Sequence, residues 1–165
     1  MNEKTEKTTL VFVEEINYEI VATLINLIED NAQKQIDLYF CSDGGGVGSA
    51  DILTDYFKYR GLDLTLIANW SINSSAFSVF FASETVNRRI MPNAHAVIHL
   101  CRRDISTIDL HNQDPYKQFL IEDVDRDNQK YIEFITKLGV DKDKIEKVKQ
   151  GEDVILDYEE LSKLL

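Results

Sequence analysis

The chain predicts an α/β domain built on a mainly parallel sheet, and three observations carry that expectation. Short apolar runs alternate with longer segments whose apolar residues recur every three or four positions, the pattern of strands followed by crossover helices. Breakers are few, with 7 glycines and 2 prolines in 165 residues, and neither an internal repeat nor a low-complexity linker interrupts the alternation. A hydrophobic content of 44% beside 28% charged residues supplies one buried core and excludes disorder.

The elements follow in order. A polar tail over residues 1–8 is expected to be flexible, and residues 9–165 are read as a single domain. "TLVFV" (Thr9 to Val13) is a short buried strand. Asn17 is an N-cap, after which Ile20, Val21, Leu24, Ile25 and Ile28 keep helical spacing. "IDLYFC" (Ile36 to Cys41) is the second strand, and a glycine-rich turn leads into a helix carrying Ala50, Ile52, Leu53, Tyr56 and Phe57 and ending near Gly61. "LDLTLIA" (Leu62 to Ala68) is the third strand and "SSAFSVFFA" (Ser74 to Ala82) an apolar helix. "TVNRRI" and "AHAVIHL" are two more strands around the turn "MPN". Asp114-Pro115 opens a long helix, as an Asx cap followed by proline at the first helical position. Tyr116, Leu120, Val124, Tyr131, Ile135 and Leu138 form its apolar stripe, and two shorter helices close the chain.

Charge and composition narrow the function classes. A net charge of −11 and a pI near 4.7 disfavour binding to nucleic acid or to an anionic membrane. The N-terminus lacks a secretory h-region, and no apolar stretch approaches the roughly 18 residues of a membrane span. Two cysteines, Cys41 and Cys101, make no disulfide framework, so a reducing, cytoplasmic setting is expected.

"LYFCSDGGGVGSA" (Leu38 to Ala50) is the first segment with chemical content. As a phosphate cradle it lacks the Lys-Ser/Thr of a Walker loop, and Ser49 stands where a dinucleotide fingerprint needs Gly or Ala. Its bare backbone could equally present N–H groups to a substrate carbonyl. Ser74 lies where a loop enters an apolar helix. A serine there is ordinarily an N-cap, yet the same helix end offers free N–H groups and a positive dipole to an oxyanion. A serine nucleophile needs a base. His111 lies in a polar stretch, His95 is next to a turn, and His99 ends its strand, where a side chain can reach a cleft. His95 and His99 lack the companions of a metal set, and no metal or cofactor is expected.

Taken together, these segments resemble the Clp protease proteolytic subunit family of the crotonase-like superfamily. "IDLYFCSDGGGVGSADILTDYF" is similar to that family's strand, "Ser-Pro-Gly-Gly" turn and helix, with Asp43 in place of the proline. "NSSAFSVFFAS" resembles its "Ala-Ser-Met" nucleophile segment, and "RRIMPNAHAVIHL" its "Leu-Pro-Asn-Ser" turn and histidine-ending strand. The 25 positions from Ser74 to His99 match the family spacing. The resemblance spans about residues 9 to 165. It implies a layered β-α-β superhelical fold with a protruding handle helix (about residues 100–138). It implies Ser74 as nucleophile and His99 as base, with the backbone N–H groups of Gly45 and Ser75 as the oxyanion hole. A peptide or unfolded protein is the implied substrate, in a homo-oligomer of one or two stacked heptameric rings, and an AAA+ unfoldase is the partner class it allows.

For the third triad member the ungapped family register selects Glu152, whereas the register of the last helix selects Asp153; Asp153 is preferred. Three further departures concern the site. Asn73 and Ser75 flank the nucleophile where alanine and methionine are usual, and Leu100-Cys101 follow the histidine where Gln-Pro is usual. Asp43 places a carboxylate beside a site that must stabilise negative charge: turned outward it is compatible with peptidase activity, and turned to Ser74 it weakens it. Two alternatives stand beside the peptidase reading. One is a catalytically silent Clp-like structural or adaptor subunit. The other is a crotonase-type acyl-CoA enzyme, which leaves Ser74 and His99 without a role and finds no basic site for the CoA phosphates.

Overall fold

The fold was analysed in a computed structural model, which describes residues 6–102 and 115–165. The chain forms two compact units, Met1–Ile98 with Ile155–Lys163 and Leu165, and His99–Val154 with Leu164.

The first unit is a parallel sheet dressed with helices. Its order is β1 (Lys7–Val13), α1 (Tyr18–Glu29), β2 (Gln35–Ser42), α2 (Val47–Arg60), β3 (Leu64–Ile72), α3 (Ser75–Ala82), β4 (Asn87–Ile90) and β5 (Ala96–Ile98). Strands β1 to β4 pair in sequence order, every pair parallel, an order that lets each strand pair with the next in the sequence. β1 starts at Lys7, two residues inside the expected tail, because Lys7 pairs with Gln35 and its ammonium meets Asp37 at 2.7 Å. Leu38 and Phe40 of β2 and Leu64 and Leu66 of β3 are fully covered. Phe77, Phe80 and Phe81 of α3 are buried as well, with Phe77 and Phe81 centroids 4.8 Å apart. Burial of this kind contributes about 25 cal/mol per Å² and holds the layers together. The helix limits follow their caps: Asn17 accepts from Ile20 N at 3.0 Å, and Gly61 ends α2 in the left-handed conformation.

Two features depart from the expected pattern. β3 runs on to Ile72 through an irregularity in its pairing with β2, with Trp70 at φ 76°. A strand of three residues, β6 (Val154–Leu156), pairs with β5 and precedes the short helix α6 (Tyr158–Ser162).

The second unit carries α4 (Pro115–Leu138) and α5 (Lys142–Lys149). Proline opens α4 as expected; its expected cap, Asp114, lies outside the described residues, as does His111. Asp141 caps α5 by accepting from Asp143 N and Lys144 N. Ile135, Val140, Ile145 and Val148 are buried, whereas Phe119 and Ile121 are exposed. Burial raises the Tyr131 hydroxyl well above its ordinary value. Among the described residues no helix is long and apolar enough to cross a membrane.

Candidate active site

Strand β3 delivers Ser74 to the N-terminus of α3, and it does so in an unusual conformation. Ser74 has φ 52° and ψ −124°, and its hydroxyl makes no capping bond to the helix it precedes. The ordinary reason for a serine at this position is therefore missing. A non-glycine residue in this region is strained by about 1–3 kcal/mol, a cost usually found at functional turns. The turn is fixed by its backbone: Ser74 N donates to Val97 O at 2.8 Å, Asn73 N to Ser42 O at 2.9 Å, and Phe77 N to Ser74 O at 3.1 Å.

The glycine turn after β2 lies directly against this elbow. Gly44 has φ 99°, and a Cβ there would come within 2.8 Å of Ser74 Cβ and 2.9 Å of Asn73 O. Gly45, at φ 144°, has no room for a Cβ either, because one would meet Ile16 O at 2.2 Å. Only glycine permits that conformation and that approach together.

Two N–H groups point away from the bonds that hold these turns. Ile16 N donates to Gly44 O at 2.8 Å; in a trans peptide the following N–H, that of Gly45, points the opposite way. The Ser74 carbonyl is likewise taken by Phe77 N, which aims Ser75 N–H off the end of α3. Among the described residues neither Gly45 N–H nor Ser75 N–H donates to another group. The Ser75 hydroxyl donates to Gly45 O at 3.2 Å and joins the two turns.

Asp43 is exposed and committed to the neighbouring turn. Its Oδ1 accepts from Asn73 Nδ2 at 2.9 Å and from Ser71 Oγ at 3.2 Å. Cys41 Sγ lies 3.5 Å from the same Ser71 hydroxyl. A cavity of about 410 Å³ is lined by Glu14, Glu15, Cys41, Asp43, Gly44 and Gly45, among others. The backbone N–H of His95 donates to Trp70 O at 2.8 Å, and its ring stands edge-on to Trp70 at 5.9 Å.

His99, Glu152 and Asp153 belong to the second unit. His99 Nδ1 lies 2.7 Å from Leu100 O. Asp153 accepts from Arg102 Nη2 at 2.5 Å, and the same guanidinium donates to Gly151 O. Among the described residues no hydrogen bond joins His99 to either carboxylate. Sequence patterns gave no sign of Arg102, because its partner lies 51 positions away. Asn128 Oδ1 accepts from Cys101 N at 2.6 Å and anchors the segment after His99.

Comparison with known proteins places this geometry in context. The sequence model of the family described as Clp protease matches residues 7–156. No curated protein matches the chain. Among solved structures it is similar to a mutant of ClpP1 from Listeria monocytogenes, with a TM-score of 0.65 at 19% identity, over 94% of this chain and 86% of that one.

Proposed function

The chain belongs to the Clp protease family, and on that premise we propose that it is a serine endopeptidase with Ser74 as nucleophile. One observation carries the reading: Ser74 sits at positive φ on a helix N-terminus, its hydroxyl free of the cap, between two turns whose Gly45 and Ser75 N–H groups have no acceptor among the described residues. In this reading His99 takes the Ser74 proton as the hydroxyl oxygen attacks a peptide carbonyl. The oxyanion is met by the two backbone N–H groups, the amine leaves with the proton, and water hydrolyses the acyl-enzyme by the reverse proton path. A proton on His99 Nδ1, donated to Leu100 O, leaves Nε2 as the basic nitrogen, so the base does not wait on a carboxylate for its tautomer. Asp153, with Glu152 as the alternative, would stabilise the imidazolium.

Exposed Val11 and Val13 on β1, and Phe119 and Ile121 on α4, support a homo-oligomer, proposed as one or two stacked heptameric rings with α4 as the handle. A cytoplasmic setting and an AAA+ unfoldase remain the proposed context, with peptides or unfolded proteins as substrates. A second reading, a silent subunit kept for assembly, draws on the Arg102 pairing of Asp153. A fluorophosphonate probe separates them. The peptidase reading expects labelling of the wild type that is lost in Ser74→Ala and His99→Ala; labelling that persists in Ser74→Ala sinks the assignment.

A further inference from the structure

We propose that Asp43 and Asn73 form a clasp that sets the spacing of the two oxyanion donors, with Asp43 acting as a positioning residue. The inference rests on the reading of Ser74 as nucleophile. Asp43 stands two residues before Gly45, and Asn73 two residues before Ser75. The 2.9 Å bond between their side chains therefore ties together the segments that carry the two N–H groups.

The clasp has a determined geometry. Asn73 Oδ1 accepts from Val97 N at 2.8 Å while its Nδ2 donates to Asp43. A backbone N–H can meet only the amide oxygen and a carboxylate only the amide nitrogen, so the two partners fix the amide's orientation. Ser71 donates to the same Asp43 oxygen, which leaves that carboxylate anchored at two points of β3 and its continuation. Gly44, between Asp43 and Gly45, lies so close to Ser74 and Asn73 that a Cβ on it would clash with both. A displacement of Asp43 is thus passed to Gly45 N–H and the Ser74 elbow with nothing to absorb it. The Ser75–Gly45 bond is a second rung, made between the donor residues themselves, so the clasp supplies alignment where that rung supplies closeness.

The role is acceptance of hydrogen bonds, not charge, and this separates the variants. Asp43→Asn keeps an acceptor oxygen for Asn73 and Ser71 and removes a negative charge beside a developing oxyanion; kcat on a fluorogenic peptide and the rate of fluorophosphonate labelling at Ser74 are expected at or above wild type. Asp43→Ala removes the acceptor; both rates are expected to fall about 10- to 100-fold, the scale of small misplacements at a reacting centre, with KM within about twofold. Asn73→Ala is expected to match it, and the double variant to lose no more than the worse single, since neighbours in one network are not additive. An Asp43→Ala enzyme with unchanged rates, or one changed in KM alone, overturns the clasp. So does Asp43→Asn falling as far as Asp43→Ala, or a double variant whose losses multiply. Asp43 is exposed, so its two variants carry the test if Asn73→Ala fails to fold. A wild type that is not labelled at Ser74 overturns the nucleophile reading and the clasp with it, whereas labelled wild type with insensitive Asp43 variants overturns the clasp alone.

Discussion

A methyl group at Gly44 would separate backbone strain from contact with the proposed nucleophile, Ser74. Gly44→Ala forces an L-residue to φ 99° and drives its Cβ to 2.8 Å from Ser74 Cβ. Gly61→Ala imposes a similar conformation, φ 67°, in open space. Both are expected to lower thermal stability, by about 1–3 kcal/mol for the strain. Only Gly44→Ala is expected to cut Ser74 labelling, about 100-fold or more, and equal labelling in the two variants would argue against the turn's part in the site. At His99 the expectation reverses. Arg102 holds Asp153 in an ion pair that is more than half exposed on both sides, and such pairs contribute about 0–1 kcal/mol. Arg102→Ala is therefore expected to raise kcat a few-fold, and Asp153→Ala in that background to erase the gain; a loss of activity in Arg102→Ala would show that the guanidinium assists the site. Ser74 and the glycines were legible because a strand, a turn and a helix start announce themselves locally. Asp43–Asn73 and Arg102–Asp153 were not, since pairs 30 and 51 positions apart leave no trace in a local pattern, and neither does the φ of Ser74.

Helices α1 and α2 are joined at their C-terminal ends by Glu29, which accepts from Arg60 Nε at 2.7 Å, Arg60 Nη2 at 2.9 Å and Tyr56 Oη at 2.9 Å. The Arg60 hydrogen bonds, then that of Tyr56, hold the Glu29 carboxyl below its ordinary 4.5. A carboxyl depressed in the folded state favours folding above its unfolded value and loses that contribution as the pH falls through the lower folded value. Melting temperature is thus expected to drop as the pH falls below about 4.5, and Glu29→Gln is expected to flatten that part of the profile; an unchanged profile would mean the cluster adds nothing to folding. Helical elements of this kind were readable, because caps such as Asn17 and breakers such as Pro115 and Gly61 mark their ends. β6 was not, since three residues are too few to show a period of two. The extension of β3 through Trp70 was hidden because the irregularity that permits it is a matter of backbone geometry.

The order of the parallel sheet follows from the alternation of strands and helices, whereas the division into two compact units is invisible in a chain without a linker composition. Charge bears on the proposed ring. Each chain would bring a formal −11, so assembly would have to work against self-repulsion, with apolar surface such as Val11, Val13, Phe119 and Ile121 as the proposed driving force. At about 0.01 M salt that repulsion reaches about 30 Å, and at about 0.15 M only about 8 Å. Mass photometry at equal protein concentration is therefore expected to show larger assemblies at the higher salt. Single subunits at both concentrations would count against the ring. Assemblies that loosen as salt is added would show that ion pairs between subunits, and not apolar burial, hold it together.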